Sequence, residues 1–150
     1  MAAGNYNIQR FVYLADDDSD DRDFFADAMA EADPGVILKG FPDGMYLMED
    51  LLALDMAALP DFVFLDINMP LKSGFECLEE IRKHERLKDL TVVIHSTSSH
   101  PENIARAMAE GASFYAVKPS SFEKLKSVLE EILAADLAGA VKENKKFLLL

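Results

Sequence analysis

Five short apolar runs alternate along this chain with segments that repeat their apolar residues every three or four positions. The runs are Phe11-Val12-Tyr13-Leu14-Ala15, Val36-Ile37-Leu38-Lys39-Gly40-Phe41, Asp61 to Asp66, Thr91-Val92-Val93-Ile94-His95-Ser96 and Ser113-Phe114-Tyr115-Ala116-Val117. Runs this short and apolar read as strands buried on both faces. Helical spacing follows each one: about Asp20 to Ala32 behind Ser19 as N-cap, Gly44 to Ala58 behind Asp43, Gly74 to Arg86, Pro101 to Glu110 closed by Gly111, and Phe122 to Leu137. In the third segment Phe75, Leu78, Ile81 and Arg82 carry the repeat. Five strand–helix units predict an α/β fold, a doubly wound five-stranded parallel sheet with right-handed crossovers and helices on both faces.

One domain accounts for the length. A chain of 150 residues, 50% of them apolar, can bury a core, and its 7 Gly and 6 Pro are dispersed without a linker or repeat. The single cysteine, Cys77, permits no internal disulfide and fits a reducing cytoplasmic setting. Met1 to Asn7 lacks a basic region followed by an apolar one, so no signal peptide is expected. No apolar run approaches membrane-spanning length, so no membrane association is expected either. A net charge of −12 opposes nucleic-acid binding, which needs a basic footprint, and mainly serves solubility.

The predicted strand ends concentrate the chemistry. In an open α/β sheet, ligands bind at the carboxyl ends of the strands, and the strand order 2-1-3-4-5 sets strands one and three side by side at the switch point. Strand one runs into Asp16-Asp17-Asp18-Ser19, strand three into Asp66, strand four into Ser96-Thr97, and strand five into Lys118-Pro119. Taken singly, each has an ordinary reading: an acidic turn that favours a helix start, a cap, a strand-end hydroxyl, a loop. Taken together, Asp16, Asp17 and Asp66 crowd their charges, and such crowding is relieved by a proton or a cation. Oxygen ligands of this kind suit Mg2+, which accepts one or two carboxylates together with waters and a phosphate oxygen. Lys118 and Ser96 add a positive charge and a hydroxyl, which makes the rim a site for a phosphate-like oxyanion.

The pattern resembles the response-regulator receiver domain of two-component signalling, over about Gln9 to Leu137. The matching elements are the acidic pair Asp16 and Asp17, the acceptor Asp66, Ser96 after strand four, the aromatic Tyr115 in strand five, and Lys118-Pro119 after it. The intervals agree as well, 30 residues from Asp66 to Ser96 (96 − 66) and 22 from Ser96 to Lys118 (118 − 96). Met69-Pro70 and Gly74 match the loop after the acceptor. The acidic run from Asp16 to Asp21 and the run Ser96 to Ser99 most resemble single-domain regulators paired with phytochrome-type histidine kinases.

The resemblance implies a flavodoxin-like receiver over residues 1–137 and an extension over 138–150 in which no output domain is expected. It implies that Asp66 takes a phosphoryl group from a sensor histidine kinase. Asp17, Asp66 and the backbone carbonyl of Asn68 would hold Mg2+, with Asp16 acting through a water. Lys118 and Ser96 would bond the phosphoryl oxygens, and Tyr115 would rotate inward as Ser96 moves. Pro119 would follow a cis peptide bond. Such a domain is not an enzyme in its own right but assists its own phosphorylation and dephosphorylation. Its output would be a protein contact, including a homodimer through the face of helix four, strand five and helix five. The alternative is a phosphorelay intermediate that passes phosphate to a histidine phosphotransfer protein. A phosphatase related to haloacid dehalogenases would want a second Asp at the position of Asn68, and a dinucleotide site would want a Gly-rich turn after strand one.

The remaining candidates have plain structural readings. His95 reads as a strand-end side chain near the switching surface, and His84 and His100 as surface residues. Cys77 reads as a packing thiol. Met45, Met48 and Met56 read as helix-face packing. Ser98, two residues after Ser96, is a candidate for tuning dephosphorylation. Ala138 to Lys146 reads as polar and helical or frayed, and Phe147 to Leu150 as an apolar end that packs on the domain or on a partner subunit.

Overall fold

Phe62-Val63-Phe64-Leu65 is buried at every position, which a strand achieves only when both faces of its sheet are covered. A computed structural model describes residues 9–137 and 146–150. The expectations for Met1 to Asn7 and for 138–145 therefore lie outside the described residues. The elements run β1 (Phe11–Ala15), α1 (Ser19–Ala32), β2 (Ile37–Phe41), α2 (Gly44–Ala53), a 3-10 turn at Met56–Ala58, β3 (Phe62–Leu65), α3 (Gly74–Lys83), β4 (Thr91–Ser96), α4 (Pro101–Ala109), β5 (Phe114–Val117), α5 (Phe122–Leu137) and β6 (Leu148–Leu149). The sheet is parallel throughout, in the order β2-β1-β3-β4-β5-β6.

Alternating strand residues feed two separate apolar layers, as the period of two requires. Tyr13, Val63, Leu65, Val92, Ile94 and Tyr115 pack with Leu47, Leu51, Phe75, Leu78 and Ile81 from α2 and α3. Val12, Leu14, Phe62, Phe64, Val93 and Phe114 face the other way, onto Phe25 and Met29 of α1 and Leu125, Leu129 and Ile132 of α5.

Several boundaries differ from expectation for local reasons. A sixth strand joins the five, because the chain returns along the open edge of β5: the Tyr115 amide donates to the Phe147 carbonyl at 3.0 Å. Leu149 is buried there, so the apolar end packs on its own domain. The α1 cap is Asp18 rather than Ser19, since the Asp18 carboxylate accepts from the amides of Asp20 and Asp21. The second helix stops at Ala53, and the third stops at Lys83 instead of Arg86. Freed from the helix, the Arg86 guanidinium donates to the carbonyls of Leu52 and Leu54, at the end of α2.

Candidate functional site

The ladder between β1 and β3 does not stop at the last strand residues. The Asp66 amide donates to the Ala15 carbonyl at 3.0 Å, and the Asp16 amide donates to the Phe41 carbonyl at 3.0 Å. These bonds hold two carboxylates side by side at the carboxyl rim, where Asp16 is 2% and Asp66 9% exposed. Asp17 follows on the exposed side. One carboxylate oxygen from each of Asp16, Asp17 and Asp66 lies within 4.8 Å of the others.

Lys118 closes the group from β5. Its backbone amide donates to the Ser96 carbonyl at 2.7 Å, which continues the β4–β5 ladder past its end. Its ammonium then meets three carboxylates, Asp16 Oδ2 at 2.7 Å, Asp21 Oδ2 at 3.0 Å and Asp66 Oδ2 at 3.1 Å. Burial pushes the Asp66 carboxyl above its ordinary range; the Lys118 charge pulls against that, and neighbouring Asp16 adds to it. For Lys118, burial alone would favour the neutral amine, but the bond to Asp16 and the charges of Asp66 and Asp16 outweigh it and raise its pKa.

The loop after Asp66 is built for close approach. Gly74 opens α3 with its amide on the Ile67 carbonyl at 3.0 Å, and an added Cβ there would lie 2.2 Å from the Asp66 carbonyl oxygen. Between them, Leu71 takes φ 69°, and the Lys72 amide donates to the Pro70 carbonyl at 2.7 Å, a γ-turn with its central residue at positive φ. Asn68 is exposed in this loop, one residue beyond Ile67.

Ser96 is buried at the end of β4, where Leu65 is level with Ile94, so that Ser96 stands one step further along than Asp66. Its hydroxyl accepts from the Ser98 amide at 3.1 Å. Tyr115 is fully buried, and its hydroxyl donates to the Ser98 carbonyl at 2.8 Å. The aromatic side chain is therefore already inside. Ser98 Oγ accepts from Asn103 Nδ2 at 2.8 Å and from the His100 amide at 3.2 Å, which ties it to the start of α4.

Some expectations are corrected. No peptide bond among the described residues is cis, so Lys118–Pro119 is trans, the form that X-Pro bonds ordinarily prefer. His95 is a strand-end side chain, as expected, but a buried one. Alternation along β4 turns it to the opposite layer, where it is 5% exposed against the rings of Phe25 and Phe64 at 5.5 and 6.3 Å. Neither of its ring nitrogens has a hydrogen-bond partner among the described residues, and burial, helped by the Lys118 charge, drives its pKa down to about 3. His84 is half-buried and its Nδ1 accepts from the Arg86 amide, while His100 is exposed. Met48 packs as expected, but Met45 and Met56 are exposed. Cys77 is the packing thiol expected of it, its pKa pushed up by burial to about 12.

Asp21 and Arg82 carry more than the sequence indicated. Asp21 sits in an acidic run that also contains Asp18 and Asp20, and only the orientation of α1 selects it for Lys118. Arg82 reads as part of an amphipathic repeat, yet its guanidinium donates to the carbonyls of Gly111, Lys88 and Leu90 at 2.8, 2.9 and 2.7 Å. A cavity of about 190 Å3 adjoins the site, lined by Asp21, Phe24, His95, Thr97, Lys118, Pro119, Ser120 and Leu125.

Comparison with known proteins agrees with this geometry. The family model of the response regulator receiver domain matches residues 12–130. The probable methanogenesis regulatory protein FilR2 of Methanothrix harundinacea is 40% identical over 75 residues, which are 50% of this chain and 48% of FilR2. Chemotaxis protein CheY-3 of Vibrio cholerae is 36% identical over 95 residues, 62% of this chain and 73% of CheY-3. The chain thus spans about half the length of the first of these relatives. Among solved structures, the phosphorylated cyanobacterial phytochrome response regulator RcpA superposes with a TM-score of 0.78 at 27% identity, over 87% of this chain and 96% of RcpA.

Proposed function

The chain belongs to the response regulator receiver family of two-component systems, and on that premise we propose that Asp66 accepts a phosphoryl group from the phosphohistidine of a sensor histidine kinase, in a Mg2+-dependent reaction that switches protein contacts. The observation that carries this reading is the convergence of Asp16, Asp17, Asp66 and Lys118 on one rim. A partnership with a phytochrome-type kinase is the finer form of the proposal, supported by the likeness to RcpA.

The donor set fits a hard divalent cation: three carboxylates, all oxygen, converging from two adjacent strand ends. Asp17, Asp66 and the Asn68 carbonyl would hold it, with Asp16 beside them through water. Bound there, Mg2+ supplies charge neutralisation for the incoming phosphoryl oxygens. The chain's own residues do the rest. An Asp66 oxygen attacks phosphorus, an O–P bond forms, and the P–N bond to the kinase histidine breaks with its electron pair leaving on the imidazole. Lys118 transfers a donor from the Asp66 carboxylate to a phosphoryl oxygen, and the Ser96 hydroxyl turns from the Ser98 amide to another. Phosphoryl transfer asks mainly for positioning and neutralisation, so no further general base is needed. The domain acts on its own aspartate alone.

Because Tyr115 is already inside and bonded to Ser98, phosphorylation in this reading stabilises an existing arrangement rather than creating one. Contacts would be made through the α4–β5–α5 face, including symmetric pairing of two copies. β6 lies along the outer edge of β5 and so forms part of that face.

The test is incubation with acetyl phosphate and Mg2+, read by intact mass. Wild type is expected to gain one phosphoryl group that hydroxylamine removes, and Asp66→Asn to gain none. Absence of any Mg2+-dependent gain in wild type would refute the assignment. Sizing at increasing concentration with a beryllofluoride mimic then tests the pairing.

A further inference from the structure

An ammonium group has three N–H donors, and all three on Lys118 are spent on carboxylates. Two of the acceptors, Asp16 and Asp66, belong to the set that converges on a cation. The third, Asp21, does not belong to that set. It approaches from the first turn of α1, its side chain 46% exposed, while that of Lys118 is 11% exposed. Lys118 and a divalent cation therefore compete for the same two carboxylates, and Asp21 stands outside the contest with a hold on one competitor.

We propose that Asp21 is a positioning residue for Lys118: by taking one of its donors, it limits how tightly the ammonium closes on Asp16 and Asp66 and leaves those carboxylates available to the cation. The inference rests on the receiver reading and adds to it a residue outside the acidic pair. Two physical effects act in the same direction. With Asp21 charged, the Lys118 charge is shared three ways, so less of it is offered to Asp66. The Asp21 charge also adds to the negative potential that draws a cation to the rim. When the phosphoryl group arrives, the bonds from Lys118 to Asp66 and Asp16 are the ones that rearrange, and the bond to Asp21 keeps the ammonium in reach.

A merely structural role would look different. Asp20 lies in the same helical turn, carries the same charge, has its amide on the same Asp18 carboxylate, and is exposed and not among the three acceptors of the Lys118 ammonium. Asp20→Asn therefore reproduces the loss of charge and of helix-start stabilisation without touching the ammonium. The experiment compares Asp21→Asn with Asp20→Asn in the full chain by two readouts. The first is the side-chain ammonium resonance of Lys118 in lysine-labelled, metal-free protein. The second is the Mg2+ dissociation constant by calorimetric titration. Asp21→Asn is expected to shift the Lys118 resonance and weaken Mg2+ binding roughly three- to fivefold, the scale of one partly exposed charge contact. Asp20→Asn is expected to leave the resonance in place and to weaken binding by less than about twofold, because an exposed charge is screened. Equal weakening in both variants, or an unmoved resonance in Asp21→Asn, overturns the proposal. If wild type neither binds Mg2+ nor gains a phosphoryl group, the receiver reading fails, while the resonance still decides whether Asp21 holds Lys118.

Discussion

Gly74 packs so closely on Asp66 that a methyl group added to its α-carbon would sit 2.2 Å from the Asp66 carbonyl oxygen and 2.9 Å from its carbonyl carbon. Both neighbours are backbone, so neither can swing aside. Gly74→Ala is expected to cost about 1–3 kcal/mol, the usual range for forcing volume into a packed interior, and to slow phosphorylation by displacing Asp66. Denaturant unfolding and the rate of mass gain with acetyl phosphate measure the two effects. Gly35→Ala is the control, because among the described residues a Cβ there meets only Asp33 Oδ1 at 3.5 Å.

His95 predicts a pH dependence with a definite sign. Buried between Phe25 and Phe64 and near the Lys118 charge, it stays neutral in the folded state down to about pH 3. The unfolded chain protonates it at an ordinary value of about 6.5. Above that pH the two states bind the same number of protons at this site. Below it the unfolded chain holds one more, so stability falls with falling pH by about 1.4 kcal/mol per unit until the folded pKa is reached. His95→Leu is expected to flatten this slope between pH 6 and pH 4, and unfolding curves for the two proteins across that window check it. An equally steep slope in the variant would rule out His95 as the source.

Tyr115→Phe removes a single hydroxyl that holds the loop after β4 through the Ser98 carbonyl. The ring remains buried, so the expected loss is about 1 kcal/mol, the net worth of one hydrogen bond. The local effect is larger than the global one. The His100 amide, held by Ser98 Oγ, is expected to exchange faster with solvent in the variant, while amides in β1 and β3 are unchanged.

Arg82→Ala would leave the carbonyls of Lys88, Leu90 and Gly111 without their shared donor. Bonds from a charged donor contribute more than neutral ones, and a loss of about 2–3 kcal/mol is expected. Lys83→Ala, which removes an exposed pair with Glu79 on the same helix, should leave the unfolding midpoint nearly unchanged. Equal midpoints for the two variants would contradict the clamp assigned to Arg82.

The strands of the sheet and the rim they share were legible because both follow from local pattern. A run such as Phe62 to Leu65 reads as a strand covered on both faces, and it is buried at every position in the sheet. Once five such runs alternate with helices in the order 2-1-3-4-5, the carboxyl ends of strands one and three meet. Asp16, Asp17, Asp66, Ser96 and Lys118 were found in this way. Asp21 was not, because which of several acidic residues in one turn faces inward depends on the seating of α1 on the sheet. The β6 pairing was hidden for a similar reason: Leu148–Leu149 is too short to read as a strand until it meets the open edge of β5.

The sequence by itself determined the order of elements, the parallel sheet and the residues that gather at its rim, since apolar periodicity and strand-end position are carried by the chain locally. The tertiary structure decided what each gathered group touches. It gave Lys118 a third carboxylate, packed His95 against Phe25 and Phe64, placed Tyr115 inside, and put a leucine, Leu71, at φ 69° in the acceptor loop. These outcomes depend on contacts between residues far apart in the chain, where the distance of a few ångströms that sets a hydrogen bond or a charge interaction exists only after the layers have packed.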